Sequence, residues 1–159
     1  MTSKADFNAE EWSRVVEGPA LAGLLVVAAD RGGTIRESVA MAKTYTELRH
    51  EFAGTELMEA LLGSRPEVDP SSFKSPEELR DAGRRRLQED VTLVEQKAAP
   101  DELEAYRRFI LEVGRRAAEA HKEGGFLGIG GTKVSEAEWS ALEDVASAIG
   151  AEPPPRPAG

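Results

Sequence analysis

A glutamate and a histidine three residues apart, Glu47 and His50, form a pair of potential metal ligands. In di-iron helix bundles this Glu-x-x-His pair occurs twice, and two further glutamates complete the site. The chain has only two histidines, and the second one, His121, is preceded by Glu119 at the wrong spacing. A ferritin-like metal-dependent oxidase or iron-storage bundle is therefore kept as the alternative function, not as the principal one.

Residues for nucleophilic catalysis are scarce in this sequence. The chain has no cysteine, which excludes thiolate chemistry, disulfides and zinc sites built on cysteine. A Ser-His-Asp triad would need His50 or His121 as its base, and the sequence contains no nucleophile-elbow motif. We therefore predict that the protein is not an enzyme.

A glycine-rich stretch, GGFLGIGG at residues 124–131, raises the question of phosphate binding. A dinucleotide-binding fingerprint needs a strand before its glycines and a helix directly after them, whereas here a helical pattern precedes the glycines. The lysine and Ser/Thr pair of a P-loop is also missing. The stretch is better interpreted as an interhelical loop with an apolar anchor.

Several glutamates lie three residues after a residue that can cap a helix, which is the spacing of a capping box. The pairs are Asn8/Glu11, Thr34/Glu37, Ser75/Glu78 and Ser135/Glu138. The Thr34/Glu37 pair has a second interpretation, because Asp30 lies in the turn before Glu37 and the two carboxylates can converge. Hard cations such as calcium take several oxygen ligands, often from two or more carboxylates. Capping and cation binding both remain open for these residues.

The spacing of apolar residues predicts an all-α fold, a single compact helical domain of about six helices around a buried central helix. The central helix is assigned to Ala20–Ala29, which is apolar all round, and Pro19 is expected to kink or restart the helix before it. Trp12 and Trp139 are predicted to be structural anchors at helix starts. The helices are expected to start near residues 8, 34, 55, 75, 100 and 135.

The net charge of −9 is spread over the chain and argues against binding to nucleic acid or to an anionic membrane surface. The basic run at residues 84–86 is surrounded by acidic residues, so we expect an ion-paired, solvated face. The start of the chain has no apolar signal region, and the apolar run at residues 19–29 is too short to span a bilayer. These features predict a cytoplasmic protein.

Three regions are expected along the 159 residues. Residues 1–7 are predicted to be a flexible N-terminus, residues 8–150 a single helical domain and residues 151–159 a proline-rich disordered tail. The tail contains PPPRP, which fits a polyproline-binding groove, but a solubilising role is the preferred interpretation.

Two parts of the sequence carry recurrent short patterns. In residues 28–37, two alanines and Asp30 are followed by two glycines and then by Glu37. Residues 117–150 contain AAEA, two glycines, VSEAE and an apolar stripe ending at Gly150. Both patterns resemble those of the tellurite-resistance TerB-like domains, and the second is also similar to a pattern in uncharacterised bacterial proteins. The chain departs from the family at Arg31, where glycine is usual, and in the FLGIGGTK insertion of the second turn.

The resemblance implies an all-helical fold and an acidic site for a divalent cation such as calcium. Carried over residue by residue, the site uses Asp30 and Glu37, and Glu138 joins them from the second phrase. The implied function is that of a non-enzymatic bacterial helical module that binds a divalent cation or a protein partner in a stress response. The expected partners are another protein or further copies of this chain, and neither nucleic acid nor membrane.

Overall fold

The computed structural model describes residues 2–29, 38–65, 68, 70–123 and 134–156. Within these residues the chain forms six α-helices, two short 3-10 helices and no strand, which confirms the predicted all-α fold. The α-helices are α1 (Ala9–Ala28), α2 (Ser38–Phe52), α3 (Glu56–Leu62), α4 (Pro76–Lys97), α5 (Pro100–Glu123) and α6 (Glu136–Ile149). The 3-10 helices are Lys4–Asp6 and Pro70–Ser72.

The start of each capped helix is fixed by hydrogen bonds among neighbouring residues. At α1 the Asn8 side chain accepts from the amide of Glu11 at 2.8 Å, and the Glu11 carboxylate accepts from the amide of Asn8 at 3.1 Å. Ser75 caps α4 by accepting from the amide of Glu78 at 3.0 Å, while the Glu78 carboxylate binds the amide of Lys74 instead of closing the box. These local bonds satisfy amide groups that have no partner inside the helix.

Helix α1 is the centre of the fold, as the apolar composition of Ala20–Ala29 predicts. Every residue from Gly18 to Val27 is buried, and α1 packs mainly against α5 and α4 and also against α6. The helix does not restart at Pro19 but continues through it as one element, so the restart alternative of that expectation is wrong. A side chain of α5 donates a hydrogen bond to the carbonyl that Pro19 leaves without its usual donor, as described with the candidate site below.

Aromatic side chains connect the outer helices to this core. The rings of Tyr45 and Phe52 on α2 meet the ring of Phe109 on α5 edge to face, with centroid distances of 5.0 and 5.3 Å. Trp12 and Trp139 are both buried near the starts of their helices, where the sequence predicts anchors. Offset and edge-to-face ring pairs add stabilisation beyond the apolar area that they bury.

The described residues at the two ends of the chain contact the helical domain. Thr2 and Phe7, in the segment predicted to be flexible, are buried, and the Phe7 ring lies 5.7 Å from that of Trp12. In the predicted tail, Arg156 forms ion pairs with Glu136 and Glu143 on α6. The last three residues lie outside the described part of the chain.

Among the described helices, none has the combination of length and apolar character that crossing a membrane requires.

Candidate functional site

The cation site implied by the resemblance can be located only in part. Asp30 and Glu37 lie outside the described residues. The third candidate, Glu138, is fully buried, and its carboxylate accepts from the amide of Ser135 at 3.0 Å while Ser135 caps α6 in return. In the part of the chain that the structure describes, no three histidine or carboxylate side chains are grouped so as to hold a metal ion.

Glu47 and His50, the ligand pair of the alternative function, lie on the outer surface of α2. Both residues are exposed, and a Glu47 carboxylate oxygen lies 3.2 Å from a guanidinium nitrogen of Arg116 on α5. The ligand pairs of di-iron bundles project inward between helices. The observed positions therefore give the ferritin-like alternative no geometric support.

The basic run at residues 84–86 only partly follows the expectation of an ion-paired face. Arg86 pairs with Glu17 at 3.3 Å, and its guanidinium lies 5.4 Å from the centre of the Phe73 ring. Arg84 and Arg85 have no ion pair with any residue that the structure describes. Two of the three charges are thus available on the surface of α4.

A buried polar cluster lies between α1, α4 and α5, around Asp90. The Asp90 side chain is fully buried, and its Oδ1 accepts from Nε of Arg14 at 3.2 Å. Its Oδ2 has no hydrogen-bond partner among the described residues. Burial raises the pKa of Asp90 to about 7, although the positive charge of Arg14 acts in the opposite direction.

Tyr106 of α5 completes this cluster by binding to the backbone of α1. Its hydroxyl donates to the carbonyl oxygen of Val15 at 2.8 Å. In an uninterrupted α-helix that carbonyl would accept from the amide of residue 19, but Pro19 has no N–H group. Gly18 makes room for the phenol, because a Cβ atom at this position would lie 2.4 Å from the Tyr106 oxygen.

The cluster therefore places a carboxyl group with a raised pKa close to a hydrogen-bonded phenol. Burial raises the pKa of Tyr106 well above its usual value, so the phenol remains a hydrogen-bond donor.

Outside the cluster is an open, charged depression of about 700 Å³ between α1 and α4. Its lining residues are Glu10, Ser13, Arg14, Glu17, Val68, Arg86 and Glu89. The sequence did not predict this cluster, and its one local signal was Pro19 after Gly18, from which only a kink or restart of the helix was expected.

A second concave surface lies between the C-terminal end of α1, the N-terminal half of α4, and α6. This α1–α4–α6 groove has a volume of about 580 Å³. Most of its lining is apolar, from Leu25, Ala28, Ala29, Pro76, Leu79, Ala137, Ala141 and Val145. Its polar lining consists of Arg80 and Arg84 on α4, and of Ser140 and Asp144 on α6.

The charged residues of this groove are arranged asymmetrically. Arg80 and Arg84 are separated by one helical turn and therefore lie on the same face of α4. Neither guanidinium forms an ion pair within the described ranges of the chain. The groove therefore combines an apolar floor with two positive charges along one wall, in a protein whose net charge is −9.

Comparisons with family models, with curated proteins and with solved structures find no match to this chain.

Proposed function

We propose that the protein is a non-enzymatic helical module that binds a protein partner through the α1–α4–α6 groove. The observation that carries the proposal is that Arg80 and Arg84 lie beside an apolar floor and have no ion-pair partner among the residues that the structure describes. The resemblance to TerB-like domains is part of the same proposal and gives it a context, a stress response in the bacterial cytoplasm.

The chemistry of the groove specifies the partner segment as an amphipathic helix. A groove with an apolar floor receives anchors spaced at three and four residues on one face of a helix. Carboxylates one turn apart on that helix can meet Arg80 and Arg84, because guanidinium groups form paired hydrogen bonds with carboxylates. Asp144, on the opposite wall of the groove, repels acidic residues on the other side of the bound helix. The acidic side of the helix must therefore face Arg80 and Arg84.

The proposal can be tested by selecting binders from a displayed library of amphipathic helices. We expect the selected peptides to carry apolar anchors flanked by two acidic residues one turn apart. Arg84→Glu should weaken their binding by about 10- to 100-fold, since a hydrogen bond between charged groups contributes about 1.5–3 kcal/mol. The matched control is Arg85→Glu, which makes the same charge change at an arginine outside the groove lining and should leave binding unchanged.

Two results would contradict the proposal. One is equal weakening by Arg84→Glu and Arg85→Glu, because this would indicate a general charge effect. The other is a dimer of the wild-type protein that dissociates in Arg84→Glu, as measured by analytical ultracentrifugation, because the groove would then be an interface between copies of this chain. The bound position is checked by NMR of labelled alanine methyl groups, where Ala137 and Ala141 should shift.

A further inference from the structure

The proline-rich segment at residues 151–156 lies against α6 in the folded protein. Gly150 ends α6 in the left-handed conformation, with a φ of 73°, and the amide of Ala151 donates to the carbonyl oxygen of Ala146 at 2.9 Å. At the other end of the segment, Arg156 contacts Glu136 in the first turn of the same helix. The segment therefore turns at Gly150 and runs back along α6, antiparallel to it.

The guanidinium group of Arg156 holds the segment in this position through two carboxylates. Its Nε donates to Oε1 of Glu143 at 3.0 Å, and one terminal nitrogen donates to both carboxylate oxygens of Glu136 at 3.0 and 2.8 Å. The other terminal nitrogen also contacts Glu143. The side chains of Arg156 and Glu136 are 41% and 84% exposed, and an exposed ion pair changes an equilibrium constant by at most about fivefold. These contacts order the segment and remain weak enough for a partner to displace them.

Three consecutive prolines, at residues 153–155, precede this arginine. Proline fixes its own φ near the polyproline II value, and a residue that precedes a proline prefers an extended conformation. Such a segment favours the polyproline II helix, which has three residues per turn and no internal hydrogen bonds. Pro153 and Pro155 are exposed, whereas Pro154 is half-buried. The segment thus presents two prolines to the solvent while its arginine is held on α6.

We propose that residues 153–156 are the recognition segment for a polyproline-binding domain, and that their contact with α6 is autoinhibitory. An aromatic-lined groove on the partner receives Pro153 and Pro155, because a preformed polyproline helix loses little entropy on binding. Acidic residues beside that groove bind the guanidinium of Arg156. Glu136 and Glu143 hold the same guanidinium in the free protein and compete with the partner.

This recognition segment is distinct from the surface proposed for a helical partner. The α1–α4–α6 groove is lined by Ala137, Ser140, Ala141, Asp144 and Val145 of α6, whereas Arg156 binds two other residues of that helix. The inference therefore does not depend on the function proposed for the groove.

The first test measures the contact with α6 by NMR of the full chain. We expect the backbone amides of Ala151, Glu152 and Arg156 to have heteronuclear NOE values close to those of α6. These values should fall in the double variant Glu136→Gln/Glu143→Gln, which removes both carboxylates that hold Arg156. Low values for these amides in the wild type, or values unchanged in the double variant, would overturn the autoinhibitory contact.

The second test measures recognition with a panel of SH3 domains that carry acidic residues beside an aromatic groove. We expect at least one of them to bind the full chain in a calorimetric titration. Pro153→Ala and Pro155→Ala should each weaken this binding, and Arg156→Ala should weaken it about tenfold, as expected for the loss of a hydrogen bond between charged groups.

The competition gives this test a result of opposite sign. Glu136→Gln/Glu143→Gln should tighten binding by about two- to fivefold, because it frees Arg156 for the partner. Glu104→Gln, a change at an exposed glutamate of α5, is the control and should leave the affinity unchanged. The recognition segment is overturned if no domain of the panel binds either the wild type or the double variant, or if binding does not depend on Pro153 and Pro155. Equal affinities of the wild type and the double variant would overturn the autoinhibition.

Discussion

Asp90 is a buried carboxyl group whose pKa is subject to opposing electrostatic effects. Arg14 favours its ionised form, whereas burial and the nearby Glu17 favour its protonated form, and burial has the largest effect. The resulting pKa of about 7 lies far above the value of an exposed aspartate. A carboxyl group with a raised pKa binds a proton more tightly in the folded state than in the unfolded state.

This raised pKa predicts that stability falls as the pH rises. Between about pH 4 and pH 7 the folded chain holds a proton at Asp90 that the unfolded chain has released, so the free energy of unfolding decreases across this window. A shift of this size corresponds to at most about 4 kcal/mol. Asp90→Asn carries no charge at any pH and should reduce the loss of melting temperature between pH 5 and pH 8.

The matched control for this prediction is Glu89→Gln, which removes the other, more exposed carboxylate that pairs with Arg14. The decline of melting temperature with pH should persist in that variant. An equal decline in the wild type and in Asp90→Asn would show that the proton is bound elsewhere.

The cation hypothesis is also a prediction at the scale of single residues. If Asp30 and Glu37 share a divalent cation, calcium, magnesium or manganese should stabilise the wild type by about 2.7 kcal/mol at a hundredfold excess over the dissociation constant. Asp30→Asn should abolish that gain, because it removes one charged ligand. Thermal melts in chelator and in each metal measure the effect. Asp30 is the better target, since changing Glu37 would also alter the predicted cap with Thr34.

At the scale of whole elements, α1 and α5 depend on each other at one backbone position. Pro19 leaves the Val15 carbonyl without its usual donor, and the Tyr106 hydroxyl of α5 takes the place of the missing amide. Gly18 permits the close approach of the phenol. The proline does not interrupt α1, because the hydrogen bond that it removes is replaced from a neighbouring helix.

This replacement predicts a coupling between Tyr106 and Pro19. Tyr106→Phe should destabilise the protein by about 1–3 kcal/mol, because it leaves a buried carbonyl without a donor. Pro19→Ala restores an amide N–H to residue 19. In that background, Tyr106→Phe should lower the free energy of unfolding by a smaller amount than in the wild type. Urea unfolding of the wild type, both single variants and the double variant measures the coupling, for which we expect about 1 kcal/mol.

Tyr45→Phe is the control for this cycle, since the buried Tyr45 hydroxyl has no hydrogen-bond partner among the described residues. Its removal should not destabilise the protein. If Tyr106→Phe lowers the free energy of unfolding equally with and without Pro19→Ala, the Tyr106 hydroxyl does not substitute for the missing amide donor.

At the scale of the whole molecule, the fold places α1, whose C-terminal half is apolar all round, among five amphipathic helices. α1 contributes to the core, to the Asp90 cluster and to the α1–α4–α6 groove. Different parts of one buried helix therefore connect the polar cluster to the surface proposed for partner binding. The arginines of the groove are a local exception in an acidic chain, which makes them suited to an acidic partner segment.

The sequence by itself determined the features that depend on neighbouring residues. The capping boxes of Asn8 with Glu11 and of Ser135 with Glu138 form as predicted, because each requires only atoms within one turn of chain. The central position of the C-terminal half of α1 also followed from sequence, since a helical segment that is apolar all round, as predicted for Ala20–Ala29, must be buried on every side. The sites at Asp30 and Glu37 stay predictions, because these residues lie outside the described part of the structure.

Only the tertiary structure decided which distant residues meet. Tyr106 and Val15 are 91 positions apart, Arg14 and Asp90 are 76 apart, and Thr2 and Glu102 are 100 apart. A local pattern of apolar and charged residues predicts whether a side chain faces the core or the solvent. It does not predict which helix packs against that side chain. Those contacts arise from the packing of helices against one another, and both the groove and the buried carboxylates are consequences of that packing.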